Sequence, residues 1–135
     1  MPSFGQTVLV TKPPDRDRVR LSIPADPRYL SAARVVAASL GAESGLSVDD
    51  LEDLRLGVNE LVACLIDGVQ GDGRIDLELA SGDGSVTVRG EIHGGGGAPA
   101  PDELTMRILE AVADHHELDG ASFTLTKVSS LRDTP

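Results

Sequence analysis

Hydrophobic and polar residues alternate in several segments of the chain, and this period of two predicts strands. The first segment is residues 18–23, in which one side is apolar and the other is charged or polar. The alternation returns at residues 75–79 and at residues 86–92, on either side of the turn sequence Ser-Gly-Asp-Gly at residues 81–84. We therefore predict a β-hairpin, whose second strand Gly90 interrupts.

Other segments repeat apolar residues every three or four positions, which predicts helices. The first helix follows the capping carboxylate of Asp26 and stops at Gly41. The second helix begins with a capping-box-like sequence, in which Ser47 is followed three residues later by Asp50, and it stops at Gly68. Both starts place a side-chain acceptor where the first helical amides lack partners.

The last part of the chain predicts a loop, a helix and a strand. Residues 93–102 are rich in glycine and proline and do not fit regular structure. A helix is predicted at residues 103–114 and a strand at residues 121–128, in which Phe123 and Leu125 face inward. The core side of this helix is expected to consist of Leu104, Ile108, Ala111 and Val112.

The predicted order is strand, helix, helix, strand, strand, loop, helix, strand. Helices with one apolar stripe each must cover one face of a mostly antiparallel sheet, which gives an α+β two-layer sandwich. The other sheet face is expected to stay partly open. We assign residues 18–128 to this domain, residues 1–17 to a weakly held arm containing a candidate short strand at residues 7–11, and residues 129–135 to a frayed polar tail.

Composition narrows the possible partners and the compartment. The 135 residues carry a net charge of −10 and only three aromatic side chains, which disfavours nucleic acid and anionic membranes and favours a basic protein surface. The single cysteine, Cys64, excludes an intrachain disulfide and fits a reducing cytoplasm. No apolar stretch reaches the roughly 18–20 residues that span a bilayer, and no signal peptide is evident, so we expect a cytoplasmic protein.

Four stretches of the chain carry a family resemblance: IPADPRYLSAAR at residues 23–34, DDLEDLRLGVNE at 49–60, ILEAVAD at 108–114 and TLTK at 124–127. Together they resemble the bacterial anti-sigma factor serine kinases of the GHKL ATPase superfamily, which includes gyrase and histidine kinases. The resemblance covers residues 18–128. It implies the same two-layer fold, ATP and magnesium as family cofactors, and a sigma factor and an anti-anti-sigma factor as partners.

In that family one helix carries Glu-x-x-x-Asn, whose glutamate is a general base and whose asparagine holds magnesium. Here the resemblance places Glu60 at the glutamate and Cys64 at the asparagine. A neutral thiol is a poor magnesium ligand. Asn59 lies about 140° around the helix from position 64, whereas Asp67 shares the face of Glu60 and is an alternative ligand.

The family's Asp-x-Gly-x-Gly motif, which binds adenine, matches His93, Gly95 and Gly97 here. An imidazole then stands where the family has a carboxylate, so adenine recognition is weakened. The third predicted helix also begins with Asp102 and Glu103, and these carboxylates oppose a phosphate at its N-terminus. ATP and magnesium are therefore expected to be weakly bound or not bound.

Arg34 matches a family arginine that contacts both the sigma factor and its antagonist. The favoured function is a regulatory anti-sigma-factor-like protein that binds a sigma factor or an anti-anti-sigma partner. The alternatives are an active serine kinase and a subdomain that cooperates with a histidine-kinase-like system. Family members commonly form dimers through the sheet, so a homodimer is a further expectation from the resemblance.

Each site residue has a simpler explanation as well. Glu60 suits a partly exposed helix face, and Cys64 suits a small buried apolar position. The glycine run that includes Gly95 suits a flexible linker, and Arg34 suits a solvated helix edge. His115 and His116 would lie about 100° apart on a helix, so we expect no metal site there.

Overall fold

A computed structural model describes residues 17–69, 72–94 and 101–133. The candidate strand at residues 7–11 lies outside these ranges. The strands are β1 (Asp17–Pro24), β2 (Arg74–Gly82), β3 (Ser85–His93), β4 (His115–Asp119) and β5 (Ser122–Val128). The helices are α1 (Leu30–Glu43), α2 (Val48–Asp67) and α3 (Glu103–Val112), and short 3-10 turns occupy Pro27–Tyr29 and Ser130–Asp133.

The five strands form one antiparallel sheet in the order β1-β2-β3-β5-β4. Helix α1 packs against α2, α2 packs against α3, and both α1 and α2 contact the central strands. The predicted α+β two-layer sandwich is therefore confirmed. The helices cover one face only, because each of them has one buried stripe.

Residues alternate across each strand, so the sheet has an apolar face toward the helices and a polar face away from them. The helix-facing side chains are Ile23, Ile75, Leu77, Leu79, Val88, Ile92, Phe123 and Leu125. The open face carries Arg18, Arg20, Asp76, Glu78, Arg89, Glu91 and Thr124. This second face is the open one that the strand patterns predict.

Helix α1 does not stop at Gly41 as predicted, but continues to Glu43. Gly41 is buried where α1 crosses the start of α2, and an added Cβ there would lie 2.7 Å from Leu51 Cδ2. The glycine therefore allows two helices to approach closely. The chain turns at Gly45, whose φ of 88° is the left-handed conformation that favours glycine.

Three further predictions from the pattern are wrong. Strand β3 runs through Gly90 without interruption, because the Phe123 ring occupies the space that a side chain would need. Helix α3 ends at Val112, which is buried as predicted, but it also buries Leu109, whereas the predicted Leu104 and Ala111 are exposed. The sequence His-His-Glu-Leu-Asp at residues 115–119 forms β4, so His115 and His116 lie on a strand and not on a helix.

The capping box at the start of α2 is confirmed, and its aspartate, Asp50, also accepts hydrogen bonds from the C-terminal segment. Asp50 N donates to Ser47 Oγ (3.1 Å), and Asp50 Oδ2 accepts from Ser47 N (3.2 Å). The same Oδ2 accepts from Ser130 N (2.9 Å) and Ser130 Oγ (3.0 Å). Since Asp50 is only 3% exposed, it is a buried carboxylate that joins the C-terminal segment to α2.

Residues 129–133 are consequently not the frayed tail that the sequence predicted. Ser129 is buried, its N donates to Gly84 O (2.7 Å), and its Oγ donates to Gly45 O (3.3 Å). The segment thus bonds to the hairpin turn, to the loop between α1 and α2, and to Asp50. It therefore connects two loops and the first turn of α2 at one end of the molecule.

Replacing Asp50 with alanine is expected to lower the free energy of unfolding by about 2–3 kcal/mol, because the hydrogen bonds that Ser47 and Ser130 donate to this carboxylate are lost. The control is Asp49→Ala, which removes the same charge from an exposed neighbour in the same turn. Urea unfolding followed by circular dichroism measures both. Equal stability of the two variants would contradict the role given to Asp50.

Asp50 should also make stability depend on pH. Burial opposes its charge, but hydrogen bonds from Ser130 and Ser47 outweigh burial and hold its pKa below the ordinary 3.8. The stabilisation is therefore complete above pH 3.8 and is lost as the pH falls through the lowered pKa of the folded state. The stability gap between the wild type and Asp50→Asn should shrink below pH 4, and a constant gap would argue against this account.

Candidate functional site

One face of α2 presents Glu60, Cys64 and Asp67 toward the start of α3. Glu60 Oε1 accepts a hydrogen bond from Thr105 Oγ1 (3.2 Å). Glu60 is half-buried, Cys64 is 9% exposed and Asp67 is exposed. The structure therefore places these three predicted residues on one side of α2, and the glutamate is bonded to α3.

The Cys64 thiol is free and buried. Its pKa is raised chiefly by burial, and further by the negative charges of Asp67, Glu60 and Asp102. The group is accordingly a neutral thiol at neutral pH. Because magnesium prefers hard oxygen ligands in octahedral geometry, such a thiol does not fit the ion.

The N-terminus of α3 is already capped by a carboxylate. Asp102 Oδ1 accepts from Thr105 N (2.7 Å), and this backbone hydrogen bond holds the pKa of Asp102 below its ordinary value. Glu103 lies in the first turn and pairs with Arg107 at 3.0 Å. The helix end that would attract a phosphate thus carries negative side chains of its own.

The structure does not bring His93 to the other predicted site residues. His93 ends β3 with its side chain on the open face of the sheet, where Nε2 lies 3.0 Å from Asp76 Oδ2 and 3.6 Å from Glu91 Oε1. The adjacent Ile92 is buried on the helix side. Gly95 and Gly97 lie outside the described residues.

Because of this orientation of β3, a bound nucleotide would meet Ile92 and not His93 at the end of the strand. A nucleotide that touches Glu60 on α2 and the end of β3 must lie on the helix side of the sheet. Ile92 is the side chain that points there, and it has no hydrogen-bonding group for an adenine amino group. Alternation along β3 was the signal that distinguishes Ile92 from His93.

Arg34 lies in a groove of about 550 Å³ between α1 and α2. Its Nη1 donates to Asn59 Oδ1 (2.6 Å), a contact that the sequence analysis missed. Val35 is 66% exposed beside it, and Leu56 is exposed across the groove. The remaining lining is mainly polar and acidic: Ser31, Glu52, Asp53 and Arg55.

The polar contacts of this groove hold its arginine in place. Asn59 fixes one guanidinium nitrogen of Arg34, and its position one residue before Glu60 turns it toward α1 instead of α3. On the rim, Lys127 Nζ pairs with Asp53 Oδ2 at 3.1 Å. The groove combines exposed apolar side chains with one oriented arginine, a residue type that is enriched in protein-binding surfaces.

The described residues contain no group of three histidine, cysteine or acidic side chains suited to a metal ion. His115 lies on β4, with Nε2 3.2 Å from Glu117 Oε2. In the same part of the chain, no helix is long and apolar enough to cross a membrane.

Comparison with known proteins agrees with the fold. The sequence pattern of the histidine kinase-like ATPase domain matches residues 23–121. Because this match covers most of the chain, the chain belongs to the histidine kinase-like ATPase domain family. The match includes α1, α2, the hairpin and α3, which are the elements that carry the candidate site residues.

Among curated proteins, the chain is similar to the serine-protein kinase RsbW of Listeria monocytogenes serotype 4a. The two are 28% identical over 76 residues, which is 54% of this chain and 48% of the relative. The RsbW of Bacillus velezensis is 34% identical over 44 residues, which is 33% of this chain and 28% of the relative. The chain therefore matches about half the length, or less, of these relatives.

The environment of Cys64 predicts low reactivity. Because burial and three carboxylates disfavour the thiolate, the folded protein should react with a disulfide reagent at pH 8 at least about tenfold more slowly than the urea-unfolded protein. The measurement is the absorbance of the released thiolate over time. Equal rates in the folded and unfolded states would show that the thiol is accessible and ionised.

Proposed function

We propose that this chain is a regulatory protein of the anti-sigma type. It binds a sigma factor, an anti-anti-sigma factor, or both, through the groove between α1 and α2, and it binds ATP weakly or not at all. The similarity to RsbW proteins supports the class of partner. The environment of Cys64 is the observation that supports weak or absent ATP binding.

Arg34 and its surroundings support binding to a protein partner. Asn59 orients the guanidinium, so little side-chain entropy is lost when the arginine meets a carboxylate or a carbonyl group of a partner. Val35 and Leu56 supply apolar area beside it. On the rim, Glu52 pairs with Arg55 and Asp53 pairs with Lys127, so charged groups of both signs lie beside the arginine.

The residues at three positions disfavour nucleotide binding. Cys64 replaces a magnesium ligand with a neutral thiol, Asp102 fills the capping position of α3, and Ile92 offers adenine an apolar side chain. These residues do not fit a magnesium nucleotide. Glu60 remains, but its hydrogen bond to Thr105 gives it a structural role without substrate.

The alternative function is an active serine kinase that phosphorylates an anti-anti-sigma factor. Glu60 would be the general base, and Asp67 on the same face of α2, or a water molecule, would replace the missing magnesium ligand. The observation that favours this alternative is the presence of two carboxylates on the α2 face that turns toward α3.

Replacing Arg34 with glutamate tests the partner surface. Affinity for a sigma factor that binds the wild-type protein, measured by fluorescence anisotropy, should fall about tenfold or more, because an oriented arginine at a groove is a typical hot spot. The control is Arg89→Glu, which makes the same charge change on the open sheet face. Full affinity in Arg34→Glu would contradict the proposed surface.

Transfer of labelled γ-phosphate separates the two functions. The proposal predicts no label on the anti-anti-sigma factor after incubation with wild-type protein, ATP and magnesium. Labelling that disappears in Glu60→Gln would establish the kinase and reject the proposal. The variant Glu60→Gln keeps an acceptor for Thr105, so its fold should be unchanged.

A further inference from the structure

The acidic side chains that line the groove between α1 and α2 each have a cation of their own. Glu52 pairs with Arg55 one turn further along α2. Asp53 Oδ2 lies 3.1 Å from Lys127 Nζ on β5. Each of these pairs is formally neutral, so the charge that remains in the groove is that of Arg34.

Arg34 lacks such a counter-ion. Within the part of the chain that the structure describes, no carboxylate pairs with its guanidinium, and its one polar partner is the side-chain carbonyl of Asn59. An amide oxygen accepts the hydrogen bond but carries no charge. The positive charge of Arg34 is therefore held in place without being neutralised.

The hydrogen bond to Asn59 also leaves the carboxylate-binding edge of the guanidinium open. The group has five N–H donors, and Asn59 Oδ1 accepts from Nη1 (2.6 Å). Nε and Nη2 form the fork that can meet both oxygens of a carboxylate in a bidentate pair. Neither of these two nitrogens has an acceptor among the described residues, so the fork is free to bind a partner.

Two exposed aliphatic side chains share the groove with Arg34. Val35 is 66% exposed and Leu56 is 41% exposed. A partner segment that covers them also displaces water from the guanidinium, and an ion pair is stronger where water is excluded. The groove therefore suits a carboxylate that has an aliphatic neighbour.

From these observations we infer that the groove recognises a single aspartate or glutamate of the partner, next to an aliphatic residue, and that Asn59 is the positioning residue for this contact. Asn59 fixes the guanidinium without neutralising it, as a carboxylate at this position would do. The net charge of −10 repels a run of acidic residues, so one carboxylate is expected and not several. This inference rests on the proposed function, because it specifies the chemistry of the same groove.

Replacing Asn59 with aspartate tests the role of the neutral amide. The aspartate keeps an acceptor oxygen for Arg34 but gives the guanidinium a counter-ion within the protein. Affinity for a sigma factor that binds the wild-type protein, measured by fluorescence anisotropy, should fall about tenfold or more. The midpoint of urea unfolding should stay the same or rise. A purely structural role of Asn59 predicts full affinity, because the hydrogen bond is kept.

Two variants serve as matched controls. Ser39→Asp adds the same charge at an exposed position of α1 that does not line the groove, so affinity should change less than about twofold because solvent and salt screen the charge. Asn59→Ala removes the acceptor without adding a charge. Its affinity should fall only about threefold, which is the cost of ordering a free arginine side chain on binding.

A double-mutant cycle identifies the carboxylate on the partner. Each aspartate and glutamate of the bound sigma factor is replaced in turn by its amide, and affinity is measured for the wild-type protein and for Arg34→Gln. One replacement should weaken binding to the wild type about tenfold and leave binding to Arg34→Gln unchanged, because the two groups contact each other.

Three outcomes would overturn the inference: full affinity in Asn59→Asp, an equal loss in Ser39→Asp or Asn59→Ala, and no partner carboxylate that is coupled to Arg34. If Arg34→Glu nevertheless loses the partner, the proposed function stands and only this inference fails. If the wild-type protein binds no sigma factor and no anti-anti-sigma factor, both fail.

Discussion

The burial of one side of α2 fixes the directions in which the candidate site residues of this helix point. Leu54, Val58, Leu61, Val62 and Leu65 are fully or almost fully buried between the sheet and the neighbouring helices. Each such side chain stabilises the fold by roughly 1.5–3 kcal/mol, so the rotation of α2 about its axis is firmly determined. That rotation turns Asn59 toward α1 and turns Glu60 and Cys64 toward α3.

Much of this arrangement could be predicted from the sequence, because local periodicity reports burial directly. The stripe of α2, its capping box and the alternation of β1, β2 and β3 all appear in the structure as expected. The prediction from sequence failed where contacts between residues far apart in the chain determine the local structure. The polar sequence of β4 becomes a strand because β5 pairs with it, and Ser130 is ordered because Asp50, 80 positions earlier, accepts its hydrogen bonds.

In the candidate site, too, local periodicity could be read from the sequence, whereas contacts between distant residues could not. The helical spacing of Glu60, Cys64 and Asp67 placed them correctly on one face. Their partners could not be read from the sequence, because Thr105 lies 45 residues from Glu60 and Asn59 lies 25 residues from Arg34. The end of β3 is an intermediate case: its alternation pointed to Ile92, but the motif match favoured His93.

The central proposal is that the neutral thiol at position 64 weakens the binding of magnesium and ATP, so that this family member acts by binding a protein partner and not as a kinase. Calorimetric titration of the wild-type protein with ATP and magnesium tests it most directly, with Cys64→Asn in parallel. The account predicts no saturable heat for the wild type at micromolar ATP, and a measurable gain in affinity in Cys64→Asn. Micromolar binding of magnesium ATP by the wild type would contradict the account.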